Sequence, residues 1–149
     1  MRAVIQRVKE GSVEISGKEV GRIKSGLVIF LGVGKNDSEK KAEYLAEKIV
    51  NLRIFEDQEE KMNLSAKDID AQILVVSQFT LYGDCRKGRR PSFISAALPE
   101  QAEKLYQYFI KCLKRHQLRI ETGQFQTMMM VKIFNHGPVT ILLDSEKNF

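Results

Sequence analysis

Tryptophan is absent from this 149-residue chain, and histidine and cysteine each occur only twice. Those shortages exclude much. With two histidines, any Ser-His-Asp arrangement has to use His116 or His136. His116 falls at the end of a predicted helix, where a cation complements the helix dipole. Cys85 and Cys112 stand in no C-x-x-C or histidine-rich context, so reduced thiols are expected and a disulfide framework or zinc site is not. Cys112 also lies on the apolar face of that helix, where packing explains it. No carboxylate pair is spaced for acid–base work, and no metal set or cofactor is implied. The G-x-S-x-G elbow, the Walker A loop, G-x-G-x-x-G and H-E-x-x-H are all missing. Gly32-Val33-Gly34-Lys35 has the wrong spacing for a phosphate loop and reads as a strand end and turn. Long apolar runs are missing too. The longest, Leu27 to Leu31, is far short of the ~20 residues that span a bilayer. The N-terminus turns polar at Gln6 with no signal-peptide stretch, so a cytoplasmic location away from membranes is expected.

What is present suits a single compact domain over residues 1–149, with 43% apolar and 29% charged residues and enough length for a real core. Val13 and Ile15 alternate with polar neighbours, the period of a half-buried strand. Ser16-Gly17-Lys18 then reads as a turn into Glu19–Ile23. Leu27–Val33 is apolar enough for a strand buried on both faces. A helix is predicted over Glu39–Arg53 from the stripe Ala42, Leu45, Ile49 and Leu52. Glu56–Asp70 reads as polar and irregular, with Met62 and Leu64 tucked inward. Ile73–Val76 is a strong strand. A second helix begins at Pro99 and carries Ala102, Leu105, Tyr106, Phe109, Cys112 and Leu113 on one face. Arg119–Thr122, Thr127–Phe134 and Val139–Asp144 read as strands, the last two joined by a turn at Asn135-His136-Gly137-Pro138. The expectation is α+β: a mixed or antiparallel, barrel-like sheet with two main helices, not a βαβ array.

Net charge is +5, and the excess is local. Arg86, Lys87, Arg89 and Arg90 crowd together, which fits either a phosphate partner or a solvated loop. Just upstream, the buried strand opens into Ser77-Gln78-Phe79-Thr80-Leu81. Polar groups at a strand's carboxyl end are a common setting for a site, although Ser77 and Thr80 could equally bond the backbone there.

Two separated motifs, "SQFTL" at Ser77–Leu81 and "NHGPVT" at Asn135–Thr140, resemble those of D-aminoacyl-tRNA deacylases (the D-tyrosyl-tRNA deacylase family). The resemblance extends in order through "RAVIQRV", "GLVIFLGV", "NLRIFED" with "KMNLS", "RRPSF" and "ETGQF", over essentially the whole chain. It implies a small α+β homodimer with its active site at or near the subunit interface. It also implies a carboxylic ester hydrolase that frees the D-amino acid from the 3′-terminal adenosine of tRNA and also acts on glycine mischarged on alanine tRNA. Within that resemblance, Gly137 and Pro138 carry a cis peptide whose carbonyls crowd the path of an L side chain, in the same or the partner subunit. Backbone N–H groups near Phe79 and Thr80 would stabilise the oxyanion. Thr80 lacks an adjacent base, so attack by water assisted by the ribose 2′-OH is favoured over an acyl-threonine route. Ser77, Gln78 and Asn135 would shape the pocket with Met129 or Met130 packed behind it, and Arg86, Lys87, Arg89 and Arg90 would hold acceptor-stem phosphates. Two other readings stay open: a nucleic-acid-binding module without catalysis, and a hydrolase of free D-amino-acid esters. The first has little support, since aromatics are few and no RNP, KH or helix-turn-helix pattern appears.

Overall fold

β1 (Arg2–Ile15) serves three partners in the computed structural model, which describes residues 1–148. The first half of one edge pairs antiparallel with β3 (Gly26–Gly32), from Arg2↔Gly32 to Val8↔Gly26. The second half pairs with β2 (Lys18–Ile23). That hairpin closes on Ser16 and Gly17, both at positive φ (50° and 77°), the pairing that matches the twist of the flanking strands. The other edge of β1 is covered along nearly its whole length by β8 (Met130–Asp144), from Arg2↔Asp144 to Glu14↔Met130.

β8 corrects one expectation. Asn135-His136-Gly137-Pro138 is not a reversal between two strands; the chain runs on as one strand through it. Between two registered pairs, β1 advances only from Gln6 to Val8 while β8 covers Thr140 back to Asn135. The surplus residues bulge out of the sheet. The side chain of Asn135 ties the bulge at its base. It accepts from Val139 N–H at 2.8 Å and donates to the Val139 carbonyl at 3.3 Å. Turn residues therefore act here as a local loop on a continuing strand.

A short hairpin, β4 (Phe55–Glu56) and β5 (Met62–Leu64), follows the first helix. Leu64 faces Phe55 in it, and both pack on the core. The register places Met62 opposite Glu56, and Met62 is 54% exposed. The expectation that Met62 tucks inward fails for that reason.

β6 (Gln72–Ser77) lies parallel to β3, and β7 (Ile120–Thr122) parallel to β6. Parallel neighbours need long crossovers, and the two helices supply them. α1 (Glu39–Val50) connects β3 towards β6, ending short of Arg53, and α2 (Pro99–Lys114) connects β6 to β7. Part of this mixed sheet is thus built of βαβ steps. Both helices pack on one face, where Leu45, Ile49, Leu105 and Phe109 meet Ile5, Leu27, Ile29, Ile73 and Val75. Val8, Val13, Ile23, Val28, Leu74 and Val76 fill the opposite face. The sheet curls until a Cβ on Gly21 of β2 would lie 2.9 Å from the Thr122 carbonyl of β7, so it is nearly closed. Alternate residues of β3 and β6 are therefore buried on both sides, each large apolar side chain contributing roughly 1.5–3 kcal/mol. Among the described residues no helix is long and apolar enough to cross a membrane.

Candidate functional site

At Ser77 the buried strand β6 reaches its carboxyl end, and Gln78 keeps one more bond to the neighbouring strand, donating its N–H to the Leu31 carbonyl at 2.8 Å. The chain then winds into a 3₁₀ turn, Phe79–Tyr82. Within the turn Leu81 N–H bonds the Gln78 carbonyl at 3.3 Å and Gly83 N–H the Thr80 carbonyl at 2.9 Å. The N–H groups of Phe79 and Thr80 head the turn and have no acceptor inside it. The Thr80 hydroxyl accepts from the Gln78 side-chain amide; among the described residues no ionisable group bonds to it.

This turn stands at the mouth of a cleft of about 850 Å³. Ser77, Gln78 and Phe79 line it, with Leu31 of β3 and Val33 just beyond it, Tyr106 of α2, Phe93 and Ile94, Ala96 to Pro99, and Phe125 to Met129. Phe79 and Phe93 meet edge to face at 4.9 Å between ring centroids and form an aromatic lip. Tyr106 is buried and donates its hydroxyl to the Val75 carbonyl at 2.9 Å. Burial pushes its phenol well above the usual range, so it remains a protonated donor and no base. Met129 lines the cleft with room supplied by Gly123, where a Cβ would come within 2.5 Å of the Met129 sulfur.

Asn135, Gly137 and Pro138 do not line this cleft in their own chain. They form the β8 bulge, with a cis peptide between Gly137 and Pro138 and Gly137 at φ +130°. The bulge is held from below by Arg7 of β1, which is only 4% exposed. Arg7 donates Nε to the His136 carbonyl at 3.0 Å, Nη1 to the Ile54 carbonyl at 2.8 Å and Nη2 to Glu56 Oε1 at 3.2 Å. A Cβ on Gly137 would sit 3.0 Å from Arg7 Nη2, so glycine is what lets the bulge rest on the guanidinium. Sequence reasoning passed over Arg7. The signal was available: Ala3, Ile5 and Arg7 share one row of an alternating strand, and the row is otherwise core.

The basic segment is a closed loop. Asp84 and Ser92 bond reciprocally at 2.8 and 2.9 Å, and the residues between them lead from the 3₁₀ turn to Phe93 at the cleft's lip. Arg86 grips Asp84 with two parallel bonds, Nε–Oδ1 at 2.9 Å and Nη2–Oδ2 at 2.7 Å. The Arg86 side chain, and then its backbone N–H, hold the Asp84 carboxyl down to about 2. The pair is therefore intact above the ordinary carboxylate range and is lost only as pH falls through that value. Lys87, Arg89 and Arg90 are exposed, and none has a carboxylate partner among the described residues. Of the four clustered cations, three are thus available to a ligand and one organises the loop.

Comparison with known proteins gives a consistent picture. The family described as D-Tyr-tRNA(Tyr) deacylase matches residues 4–144. A D-aminoacyl-tRNA deacylase from Halothermothrix orenii is 60% identical, with all of both chains aligned. A solved structure titled c-Myc DNA Unwinding Element Binding Protein superposes with a TM-score of 0.91 at 42% identity, covering 97% of this chain and 98% of that one. A second, titled as a probable eukaryotic D-amino acid tRNA deacylase, shares the fold at a TM-score of 0.83 and 17% identity over 95% of this chain and 97% of its own.

Proposed function

The chain belongs to the D-Tyr-tRNA(Tyr) deacylase family and is a hydrolase of D-aminoacyl-tRNA; from that premise we propose how its cleft performs the reaction and rejects L-substrates. The aminoacylated 3′ adenosine enters the apolar cleft, and the ester carbonyl is drawn to the N–H groups of Phe79 and Thr80. Donors fixed on a turn stabilise the charge that develops on that oxygen without having to reorganise. One observation carries this reading: the 3₁₀ turn offers two unspent donors at the cleft mouth, while the hydroxyl beside them bonds an amide and no base. Water is then the nucleophile, assisted by the 2′-OH of the terminal ribose, and the protein contributes position and electrostatics. Gln78 and Thr80, bonded to each other, orient the substrate, and Ser77 and Met129 shape the pocket.

Selection against L-aminoacyl esters works by exclusion, because attractive contacts discriminate poorly between mirror-related side chains. Gly137 and Pro138 form the excluding surface. Glycine, with no side chain to exclude, is accepted as well, so mischarged glycyl-tRNA of the alanine type is also a substrate. The excluding bulge lies outside its own chain's cleft, and the outer edge of β8 has no strand partner among the described residues. Met128, Met130, Phe134 and Leu142 are exposed in and beside that strand at 92%, 63%, 61% and 56%. A long open edge with apolar side chains is a surface that proteins normally cover. A second copy of the chain covers it here, and the homodimer presents each bulge, with Asn135 at its base, to the partner's cleft. Lys87, Arg89 and Arg90 meet acceptor-stem phosphates, and the enzyme works in the cytoplasm, where tRNA is charged.

The test is release of amino acid from D-tyrosyl-tRNA, L-tyrosyl-tRNA and a D-tyrosine ester. Turnover of the first alone is expected. Turnover of the free ester at a comparable rate removes the role of RNA, and no turnover of any overturns the enzymatic reading. Within the same assay, Thr80→Ala keeps kcat within about tenfold, a loss of at most ~1.4 kcal/mol of transition-state stabilisation. Near-complete loss with intact folding and tRNA binding would place the attacking oxygen on Thr80.

A further inference from the structure

Beside the cleft lies a second cavity, of about 560 Å³, lined among others by Arg2, Lys35, Asn36, Tyr82, Ser95 and Asp144. Its size falls within the ~300–1,000 Å³ of small-ligand sites. Lys35 and Ile94 line both cavities, so the two adjoin at these residues. The backbone of Lys35 is fixed from two sides: its N–H donates to the Ser95 carbonyl at 3.1 Å, and its carbonyl accepts from Gln101 Nε2 at 3.1 Å. Gly34, just before it, packs so closely on Tyr82 that a Cβ would lie 2.7 Å from the ring. Asp37 Oδ2 accepts from Gly34 N–H at 2.6 Å and from the Tyr82 hydroxyl at 3.2 Å. The backbone at the boundary between the cavities is therefore held by hydrogen bonds and close packing.

The charges of the second cavity are unevenly spent. Asp37 pairs with the Met1 amine at 2.6 Å, Asp144 lies 3.6 Å from Arg2 Nε, and Glu146 pairs with Lys41. Asp144 also accepts from Glu146 N–H and Asn148 Nδ2, both at 2.9 Å. The acceptors are thus engaged. Lys35 has no carboxylate partner among the described residues, whereas Arg2 is spent on the Asp144 salt bridge and on the Leu81 carbonyl, which accepts from Nη1 at 3.0 Å. A cavity whose carboxylates are occupied and whose Lys35 is unpaired suits an anion. Arg2 stacks at 4.7 Å over the Tyr82 ring, and a planar guanidinium is also a surface on which an unpaired base can lie. Asn36 and Ser95 add groups able to donate and accept.

We propose that this second cavity receives the nucleotide preceding the terminal adenosine, with the Lys35 ammonium on the phosphodiester that joins the two. The inference rests on the reading that the aminoacylated adenosine occupies the cleft. A single strand leaving that cleft carries its first charged group one bond system away from the ester-bearing ribose. Lys35 stands at the boundary where that group has to cross.

A four-way comparison tests it. D-tyrosyl esters of a cytidylyl-adenosine dinucleotide are made with a normal phosphodiester and with an uncharged methylphosphonate, and kcat/KM is measured for the unaltered protein and for Lys35→Ala. The unaltered protein is expected to lose about tenfold when the linkage charge is removed, the size of one good ionic contact. Lys35→Ala is expected to lose about tenfold on the charged ester and to be indifferent to the linkage. Losses that multiply independently overturn the assignment, as does an unaltered protein blind to the linkage charge. Hydrolysis of D-tyrosyl-tRNA without any hydrolysis of the dinucleotide ester overturns this inference alone. Failure on both substrates overturns the catalytic reading and the inference with it.

Discussion

Replacing Arg7 by alanine is expected to lower stability by about 3 kcal/mol and to abolish most of the preference for D- over L-aminoacyl-tRNA. The stability loss follows from what the guanidinium satisfies. The Ile54 and His136 carbonyls both take their hydrogen bonds from it, and alanine leaves the first without a donor in a buried setting and the second in a half-buried one. Glu56 is half exposed and rehydrates at little cost. For a chain of this size the drop corresponds to roughly 6–12 °C in Tm. The loss of discrimination follows from position, since the bulge carrying Gly137 and Pro138 rests on the same side chain. Arg7→Lys keeps the charge but cannot span three acceptors arranged around a planar fork. It should therefore retain more stability than selectivity. The two readouts, thermal melting and the D/L ratio of deacylation rates, separate a positioning role from general unfolding. A D/L ratio unchanged in Arg7→Lys and Arg7→Ala would detach the bulge from chiral selection. Co-assembly adds a decisive arm. Arg7→Ala mixed with a variant damaged only in the cleft, such as Gln78→Ala, should recover selective activity if one protomer's bulge serves its partner's cleft. No recovery in heterodimers would confine the bulge to its own chain.

The second large effect concerns the loop between Asp84 and Ser92. Neutralising Lys87, Arg89 and Arg90 together to glutamine should weaken tRNA binding by on the order of 10²-fold or more at low salt. It should also make the log–log salt dependence shallower by about two to three. Each phosphate contact releases roughly one counterion, so the slope counts contacts without depending on activity. Arg86→Gln alone should change the slope little, because its charge is already balanced by Asp84. An unchanged slope in the triple variant would move the RNA contact elsewhere on the surface.

Much of this was legible in the amino-acid order. Apolar runs and period-3.6 stripes located β3, β6 and both helices, because the residues they rely on, such as Leu27 to Leu31 or Leu105 and Phe109, are buried wherever the chain goes, whereas alternation marked only the end of β1. Pattern could not foresee that Asn135 to Pro138 would remain within a strand. That outcome depends on β1 continuing alongside, a contact set by residues more than a hundred positions away. Nor could it see that Met62 would be turned outward by the register of a hairpin only a few residues long. At the site, "SQFTL" marked the turn and the cleft mouth. The aromatic lip needed Phe93, the second cavity needed Arg2 and Asp144, and the support under the bulge needed Arg7. None of these stands near the motif it serves, and a lone arginine on a strand gives no local sign of which carbonyls it will meet.

The pairing of β1 with β8 carries a consequence for how the molecule comes into being. The register joins Arg2 to Asp144 and Glu14 to Met130, so the longest ladder in the sheet closes almost the entire chain into one loop. Such a ladder cannot nucleate from neighbours in sequence, and topologies rich in distant contacts fold slowly. As the chain is synthesised from its N-terminus, β1 can pair early with β2 and β3 and must then wait with its other edge bare. The loop-closing strand is also the one that carries the bulge, so the surface we propose to tell D from L is the last to form. A partly made chain can be compact, helical and well paired while still lacking the bulge.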